Sequence, residues 1–343
     1  MVWEKRIFLT GGNNQRREVY CFDADSGKLI WQKEVVVGSA IAAKIADDNT
    51  LFAAPSPVTD GRYVYAIFGN GDIICLDFEG KTVWARNLGV PENSYGHSAS
   101  LEIWRNLVLV QLDQASVEDG RSRLLALDSL SGRTVWETSR PVPCSWSSPI
   151  VINTAGREQI ITCGDPFVIA YEPSTGNEIW RAKCLGGEVV PSPIFAGGLV
   201  FAVSVDGKLA AIRTDGQGDV TQSYIVWAVE EDLPSICSPV CDGELIWLVD
   251  TGGLVTCYDA KDGQKVWQKD LQNSFQASPS LVNGLLYLLS DEGILFILKA
   301  AREYQLLGRF ELKEQCQATP AFLSGRMFIR TKNHLYCFGK TNN

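Results

Sequence analysis

Short apolar runs alternate with polar turns along the whole chain, and a longer period is superposed on them. Val19-Tyr20-Cys21-Phe22, Ile73-Ile74-Cys75-Leu76 and Leu124-Leu125-Ala126-Leu127 are each followed by an acidic residue, a glycine and a tryptophan. The phrase reads Asp23 … Gly27 … Trp31, then Asp77 … Gly80 … Trp84, then Asp128 … Gly132 … Trp136, with further copies ending at Trp180, Trp227 and Trp267. A degraded copy covers 295–310, and a truncated one is Leu335-Tyr336-Cys337-Phe338-Gly339. Apolar runs this short, bounded by Gly and Asp, read as strands, and no window carries a helical apolar stripe.

The tryptophans stand 40–53 residues apart, the size of one four-stranded β-propeller blade. A second marker precedes each acidic phrase: Ser56-Pro57, Ser148-Pro149, Ser192-Pro193, Ser238-Pro239, Ser278-Pro279 and Thr319-Pro320, with Ala99-Ser100 in the third unit. Within 237–270 the breaks predict strands A to D at 237–241, 244–249, 254–259 and 264–269. Such short turns make an antiparallel meander. The expected fold is therefore all-β, an eight-bladed propeller, with seven blades as the alternative. Counting gives 30 strands, with strand D of the last blade and strand A of the first missing at the seam; Val2-Trp3 would be the tail of that strand A. The whole of 1–343 is expected to be one propeller domain lacking an N-terminal segment of its parent. The repeated tryptophan is read as a wedge between blades whose indole N–H needs a partner, and the repeated Asp as a turn residue bonding its own backbone.

Composition adds limits. A net charge of −9 argues against nucleic acid or anionic lipid as a partner. No apolar run approaches the ~20 residues of a membrane span, and no signal-peptide core is visible. Of ten cysteines, Cys21, Cys75, Cys257 and Cys337 share one strand-C register with Ala126, Ala170 and Ala211, which predicts a small buried slot. Cys237 and Cys241 lie too far apart along one strand for an unstrained bridge. No CxxC or metal-ligand spacing occurs.

Candidate chemistry is sparse. The inserts 40–49, 91–97, 114–123 and 214–223 are expected as loops on a propeller face. Aligned on the Ser-Pro marker, the residues ahead of strand A are Ala54, His97, Trp146, Val190, Ile236, Gln276 and Gln317, with Tyr95, Glu188 and Phe275 adjacent. They are expected to ring the channel mouth. Trp146 lies outside the repeat register and is the foremost contact residue; the competing reading is a plug in the channel. The hydroxyls of Ser56, Ser147, Ser192, Ser238 and Thr319 are expected to satisfy backbone groups. His97 and His334 have no partner that sequence identifies, so no catalytic residue and no metal set is expected, and no cofactor-binding residue is assigned.

The phrase Leu/Val-x-Ala/Cys-x-Asp-x-x-Ser/Thr-Gly-x-x-x-Trp, clearest from Phe22 to Trp31 and from Leu127 to Trp136, resembles the repeat of pyrroloquinoline-quinone-like (PQQ-like) β-propellers over essentially 5–339. Arg6-Ile7-Phe8-Leu9-Thr10, Gly156-Arg157-Glu158-Gln159, 209–221 and 329–337 are similar to propellers of planctomycete-type bacteria, which typically begin with an export signal. That resemblance implies a periplasmic or envelope location for the parent. Two other groups of the family imply competing functions. Quinoprotein dehydrogenases carry a vicinal Cys-Cys ring, calcium and an Asp base; this sequence has no Cys-Cys, so PQQ with calcium is a possible cofactor that the motif does not support. The propeller lipoprotein of the outer-membrane barrel-assembly machine is a non-catalytic scaffold. The expected function is a non-catalytic scaffold or binding protein, monomeric, with a protein or small-molecule ligand at the channel mouth or a blade face. The alternatives are a PQQ- and calcium-dependent dehydrogenase and an envelope protein-assembly factor. An exposed blade edge that accepts a partner strand is a third mode of interaction.

Overall fold

The computed structural model describes residues 1–13, 15–37, 51–154 and 156–339; the insert 40–49 lies outside them. Their strands form eight sheets, at 2–34, 58–87, 102–139, 150–183, 194–229, 240–270, 280–311 and 321–339. Seven of them hold a meander in the order A-B-C-D and the last holds A-B-C, and the one helical element among the described residues is the 3-10 turn Leu51–Ala53. The fold is all-β, an eight-bladed propeller of four-stranded antiparallel blades. Met1–Asp165 with Ile169–Ile179 forms one compact unit, and Pro166–Val168 with Trp180–Asn343 forms the other.

The sixth blade shows how sequence becomes strand. Its strands are Val240–Cys241, Leu245–Val249, Leu254–Asp259 and Lys265–Asp270. Three match expectation within a residue, whereas strand A keeps only two residues of ladder. The missing pairing is made sideways. In the second unit the Ser192 N–H donates to Ser238 Oγ at 2.9 Å, Ser238 N–H to Ser278 Oγ at 2.9 Å, and Ser278 N–H to Thr319 Oγ1 at 3.0 Å. The first unit repeats this from Ser56 to Ser100 at 3.0 Å and from Ser100 to Ser148 at 2.8 Å. The proline that follows has no N–H to leave unpaired. This belt corrects two alignments. The third marker is Ser100-Leu101, one residue later than Ala99-Ser100, and the fourth-blade hydroxyl is Ser148. Ser147 Oγ is instead buried without a hydrogen-bond partner.

The Asp–Gly–Trp phrase is a clasp between neighbouring blades. Trp31 Nε1 donates to Phe78 O at 2.8 Å, Trp84 to Ser129 O at 2.8 Å and Trp136 to Pro173 O at 3.1 Å, all within the first unit. Trp227 bonds Ala260 O at 3.0 Å and Trp267 bonds Ala301 O at 2.9 Å in the second. In four of these five the acceptor directly follows the acidic residue of the next phrase. The glycine of that phrase is the seat of the ring. A Cβ on Gly80 would stand 2.7 Å from Trp31, one on Gly132 2.6 Å from Trp84, and one on Gly263 2.6 Å from Trp227, each at positive φ. The aspartates hold the turn, as expected: Asp23 Oδ1 accepts from Ser26 N–H and Oγ at 2.7 Å, and Asp128 does the same for Ser131.

The first blade departs from the strand count and the last keeps to it. Val2–Trp3 pairs with Ile7 and Arg6, so the first sheet has four strands rather than three. The last has only Ala321–Leu323, Arg326–Arg330 and Leu335–Gly339. The insert 214–223 is also not simply a face loop. Gly218–Asp219 adds a fifth, parallel strand beside Trp180 and Arg181. It is pinned by buried Val220, whose N–H donates to Arg181 O at 2.8 Å.

No two of the ten cysteines form a disulfide. Cys21, Cys75 and Cys257 are fully buried, and burial pushes the thiols of Cys75 and Cys257 up to about 12. They are packing groups, as their register predicts. Cys337 departs from it: the thiol is exposed, because no fourth strand lies beside Leu335–Gly339 among the described residues.

Candidate functional site

Two of the inserts meet beside strand A of the fourth blade, within the first unit. Glu92 N–H donates to Gln114 Oε1 at 3.1 Å, Ala115 N–H to Glu92 O at 2.8 Å, and Cys144 N–H to Ala115 O at 3.0 Å. Arg121 forms an ion pair with Glu92. The second insert is closed on itself by Ser122 Oγ, which accepts Gln114 N–H at 3.0 Å. Its tip is held by Asp119, whose carboxyl is kept below its usual range by hydrogen bonds from Ser116. Asn93 joins the two loops to Trp146: Oδ1 accepts Trp146 Nε1 at 2.8 Å and Tyr95 N–H at 3.0 Å. The Tyr95 ring meets Trp146 edge-on, with centroids 5.3 Å apart.

The result is a preorganised shelf. Tyr95 and Val117 stay exposed at 37% and 45%, while Trp146 is 8% exposed. Trp146 therefore supports the shelf from beneath, and its polar atom is already taken by Asn93. Tyr95 and Trp146 were both candidates in the sequence, but at different markers and with no contact expected between them. Asn93, Glu92, Gln114 and Arg121 were not singled out there, and the irregular length of the two inserts was their only signal.

Under the shelf lies a buried polar network that the sequence reading missed. Arg140 Nε donates to Asp113 Oδ1 at 2.7 Å and Nη2 to Oδ2 at 3.1 Å, with both side chains fully buried. Ser145 Oγ and Gln111 Nε2 add bonds to Asp113 Oδ2 at 2.6 and 2.8 Å. Arg140 Nη1 also reaches Thr162 Oγ1 and the Tyr171 hydroxyl. Burial opposes the Arg140 charge, and Asp113 more than restores it, so its pKa is raised.

His97 lies in the same unit but not on the shelf. The belt register sets Ser98, not His97, at the place equivalent to Trp146. The His97 ring is 4% exposed and Nε2 has no partner. Burial pulls its pKa down to about 4 from 6.5, so the folded state holds it neutral. The unfolded chain binds the proton more readily, so stability is complete above pH 6.5 and falls as pH drops from 6.5 toward 4. We expect the His97 ring resonances not to titrate between pH 5 and 8, and His97→Gln to flatten this stretch of the stability profile measured by denaturant unfolding.

In the second unit Phe275 is a core residue, 1% exposed and tilted against Phe296. Glu188, Gln276 and Gln317 are exposed, and no bond between them joins them into a site. Gln276 is used through its backbone, whose N–H donates to Asp291 Oδ1 at 2.9 Å. His334 does have a partner: Nδ1 lies 2.9 Å from Glu314 Oε2, which also accepts from Thr331 Oγ1 at 2.7 Å. Bonds from Thr331 and His334 pull the Glu314 carboxyl down to about 2.

A quinone with calcium would need a donor set that the described residues do not assemble. The acids of the repeat phrase are committed to turns, no two cysteines are adjacent in the sequence, and no group of three or more His, Cys, Asp or Glu among the described residues stands close enough to hold a metal ion.

The sequence matches the family described as outer membrane protein assembly factor BamB over residues 15–251, 218–305 and 251–341. The chain belongs to this family. BamB proteins of Alkalilimnicola ehrlichii and Salmonella typhimurium are 25% and 24% identical over 208 and 207 residues, each alignment covering 60% of this chain and 48% or 47% of the relative. The chain thus spans about half the length of the curated BamB relatives it matches. A quinoprotein ethanol dehydrogenase of Pseudomonas aeruginosa is 28% identical over 131 residues, 38% of this chain and 18% of that one. Among solved structures, BamB of Moraxella catarrhalis superposes with a TM-score of 0.71 over 98% of both chains at 18% identity. A europium-containing methanol dehydrogenase gives 0.70 over 96% of this chain and 81% of its own at 13% identity. Both similarities speak for the fold alone. No helix among the described residues is long and apolar enough to cross a membrane.

Proposed function

We infer that this chain is a monomeric, non-catalytic scaffold of the bacterial cell envelope that binds protein through the shelf on its third and fourth blades. The observation that carries the reading is the shelf itself. Two inserts are fixed to each other and to Trp146 by hydrogen bonds, leaving Tyr95 and Val117 outward. A rigid aromatic anchor loses little freedom on binding and is the usual centre of an interface. The name shared by the BamB relatives, outer membrane protein assembly factor, supports an envelope role with protein partners. The dehydrogenase relatives offer the alternative, but the donor set for their cofactor is not assembled among the described residues.

The test is photo-crosslinking from a benzophenone amino acid at Tyr95, with Leu130, an exposed turn residue of the same unit, as control. Discrete protein adducts from position 95 and none from 130 are expected. Equal or absent adducts at both would remove the shelf as the interface. A parallel titration with the quinone and calcium is expected to leave the melting temperature unchanged and to yield no dye-linked oxidation of alcohols. Tight binding with activity would replace the scaffold reading by the enzymatic one.

A further inference from the structure

The turns between strands C and D differ among the blades in one charged residue, in a way unrelated to the shelf. Two places after the buried slot stand Asp23, Asp77, Asp128 and Asp259. Each carboxylate accepts N–H groups of its own turn, as Asp77 Oδ1 does from Lys81 N–H at 2.8 Å and Asp259 Oδ1 from Lys261 N–H at 3.0 Å. The fourth blade has Glu172 in this place. The fifth and seventh have a cation instead: Arg213, two residues after Ala211 opposite Trp227, and Lys299, two residues after Ile297 opposite Gly308.

The fifth blade shows how the chain treats a cation here. The Arg213 guanidinium carbon lies 4.2 Å from the centre of the Tyr224 ring, Nε lies 4.0 Å from Asp215 Oδ1, and Nη2 donates to Ser223 O at 3.3 Å. The charge is met by a ring, a carboxylate and a carbonyl, all from its own turn.

The seventh blade supplies the ring without the carboxylate. Its turn is anchored to the sixth blade, because Trp267 Nε1 donates to Ala301 O at 2.9 Å and the Tyr304 ring meets Trp267 edge-on, with centroids 5.6 Å apart. Lys299, Arg302, Glu303, Tyr304 and Gln305 line a cleft of about 470 Å³. Arg302 is already committed, with Nη1 2.8 Å from Asp259 Oδ2. Lys299 is exposed and forms no ion pair among the described residues, and neither does Glu303. Lys269 Nζ lies 5.8 Å from the Tyr304 ring, so three cations stand around this turn against the two acids Asp259 and Glu303. That local surplus runs against the −9 of the whole chain.

We propose that this cleft binds an organic carboxylate, with Lys299 as its ion-pair partner and its apolar part against Tyr304. The ligand supplies to Lys299 what Asp215 supplies to Arg213. Where the cations of these two turns have a partner, Arg213 with Asp215 and Arg302 with Asp259, that partner is a carboxylate. The cleft has the size of a small-molecule site. A solvent-facing ion pair is weak and screened by salt, so the affinity is modest and falls as salt rises.

Lysine acetylation by an activated ester, read residue by residue by mass spectrometry, tests the site. Succinate at twice its dissociation constant is expected to slow acetylation of Lys299 roughly threefold relative to sodium chloride of equal ionic strength. Lys261, exposed on the sixth-blade turn, is expected to be unaffected. A second arm uses a blocked peptide with one aspartate. Protection by either probe supports the proposal, and the one effective at the lower concentration tells a free acid from an acidic side chain. Equal slowing at Lys261 would show screening alone and overturn the proposal, and so would inorganic phosphate protecting Lys299 as well as succinate does. Lys299→Asp restores the acid of the other blades at an exposed position, so that variant keeps its fold. Succinate is expected to raise the melting temperature of the parent protein and to leave that of the variant unchanged. An equal rise in both would also overturn the proposal.

Discussion

Asp113→Ala should lower the stability of the first unit by about 3–5 kcal/mol, the range for removing one partner of a buried ion pair. The guanidinium of Arg140 would be left fully buried with no counter-charge, and Ser145 and Gln111 would each lose an acceptor. Arg140→Met should cost a similar amount by stranding the carboxylate. The double variant Asp113→Leu with Arg140→Met should recover a large part of either loss, because no charge then remains to be desolvated. Denaturant unfolding of the four proteins checks this. Additive losses in the double variant would show that the pair is not the unit of stability. The shelf rests on this network through Asp113, which ends at the insert carrying Gln114, so the single variants should also weaken crosslinking from Tyr95.

The second large effect is expected at the clasp between the second and third blades. Trp84→Ala removes a ring that is 9% exposed and leaves Ser129 O without its donor, a loss of about 3–5 kcal/mol by analogy with large-to-small core changes. Gly132→Ala attacks the same contact from the other side. Its new Cβ would meet Trp84 at 2.6 Å on a backbone at φ +68°. Gly27→Ala is the control: it has the same positive φ, +69°, but nothing within 4 Å of its Cβ. It should cost only the left-handed penalty of about 1–2 kcal/mol. Equal melting shifts for the two alanine variants would mean that the ring does not rest on the glycine.

Those clasps were the most legible part of the molecule. A tryptophan repeated at one register, with an acidic turn and a glycine, carries its own geometry because the contact is local to two adjacent repeats. The small slot at Cys21, Cys75 and Cys257 could be read for the same reason. What the sequence hid was contact between places unrelated by the repeat. Nothing in Asn93 announces that its amide oxygen holds Trp146. Arg140 follows a fourth strand where other repeats have unremarkable residues, and its partner Asp113 lies across a blade. The one-residue shift between His97 and Ser98 shows a different limit. Ala99-Ser100 lacks the proline that anchors the alignment elsewhere, so only the hydrogen bond from Ser56 N–H to Ser100 Oγ fixes the register. Gly218–Asp219 pairs as a parallel edge strand, and a two-residue strand leaves no period to detect.

The serine belt has a direction. Each of the five bonds runs from the N–H of one repeat to the hydroxyl of the next, so a repeat inside either series, such as those of Ser100, Ser238 and Ser278, carries one donor for its successor and one acceptor for its predecessor. Such an arrangement lets a lineage change its blade number without redesign. A duplicated repeat enters the series with both halves of the joint already in place, and a deleted one brings two compatible halves together. Loss of a hydroxyl, by contrast, harms the repeat before it rather than the one that carries it. The residue that a substitution damages is then some 40–50 positions upstream of the substitution itself.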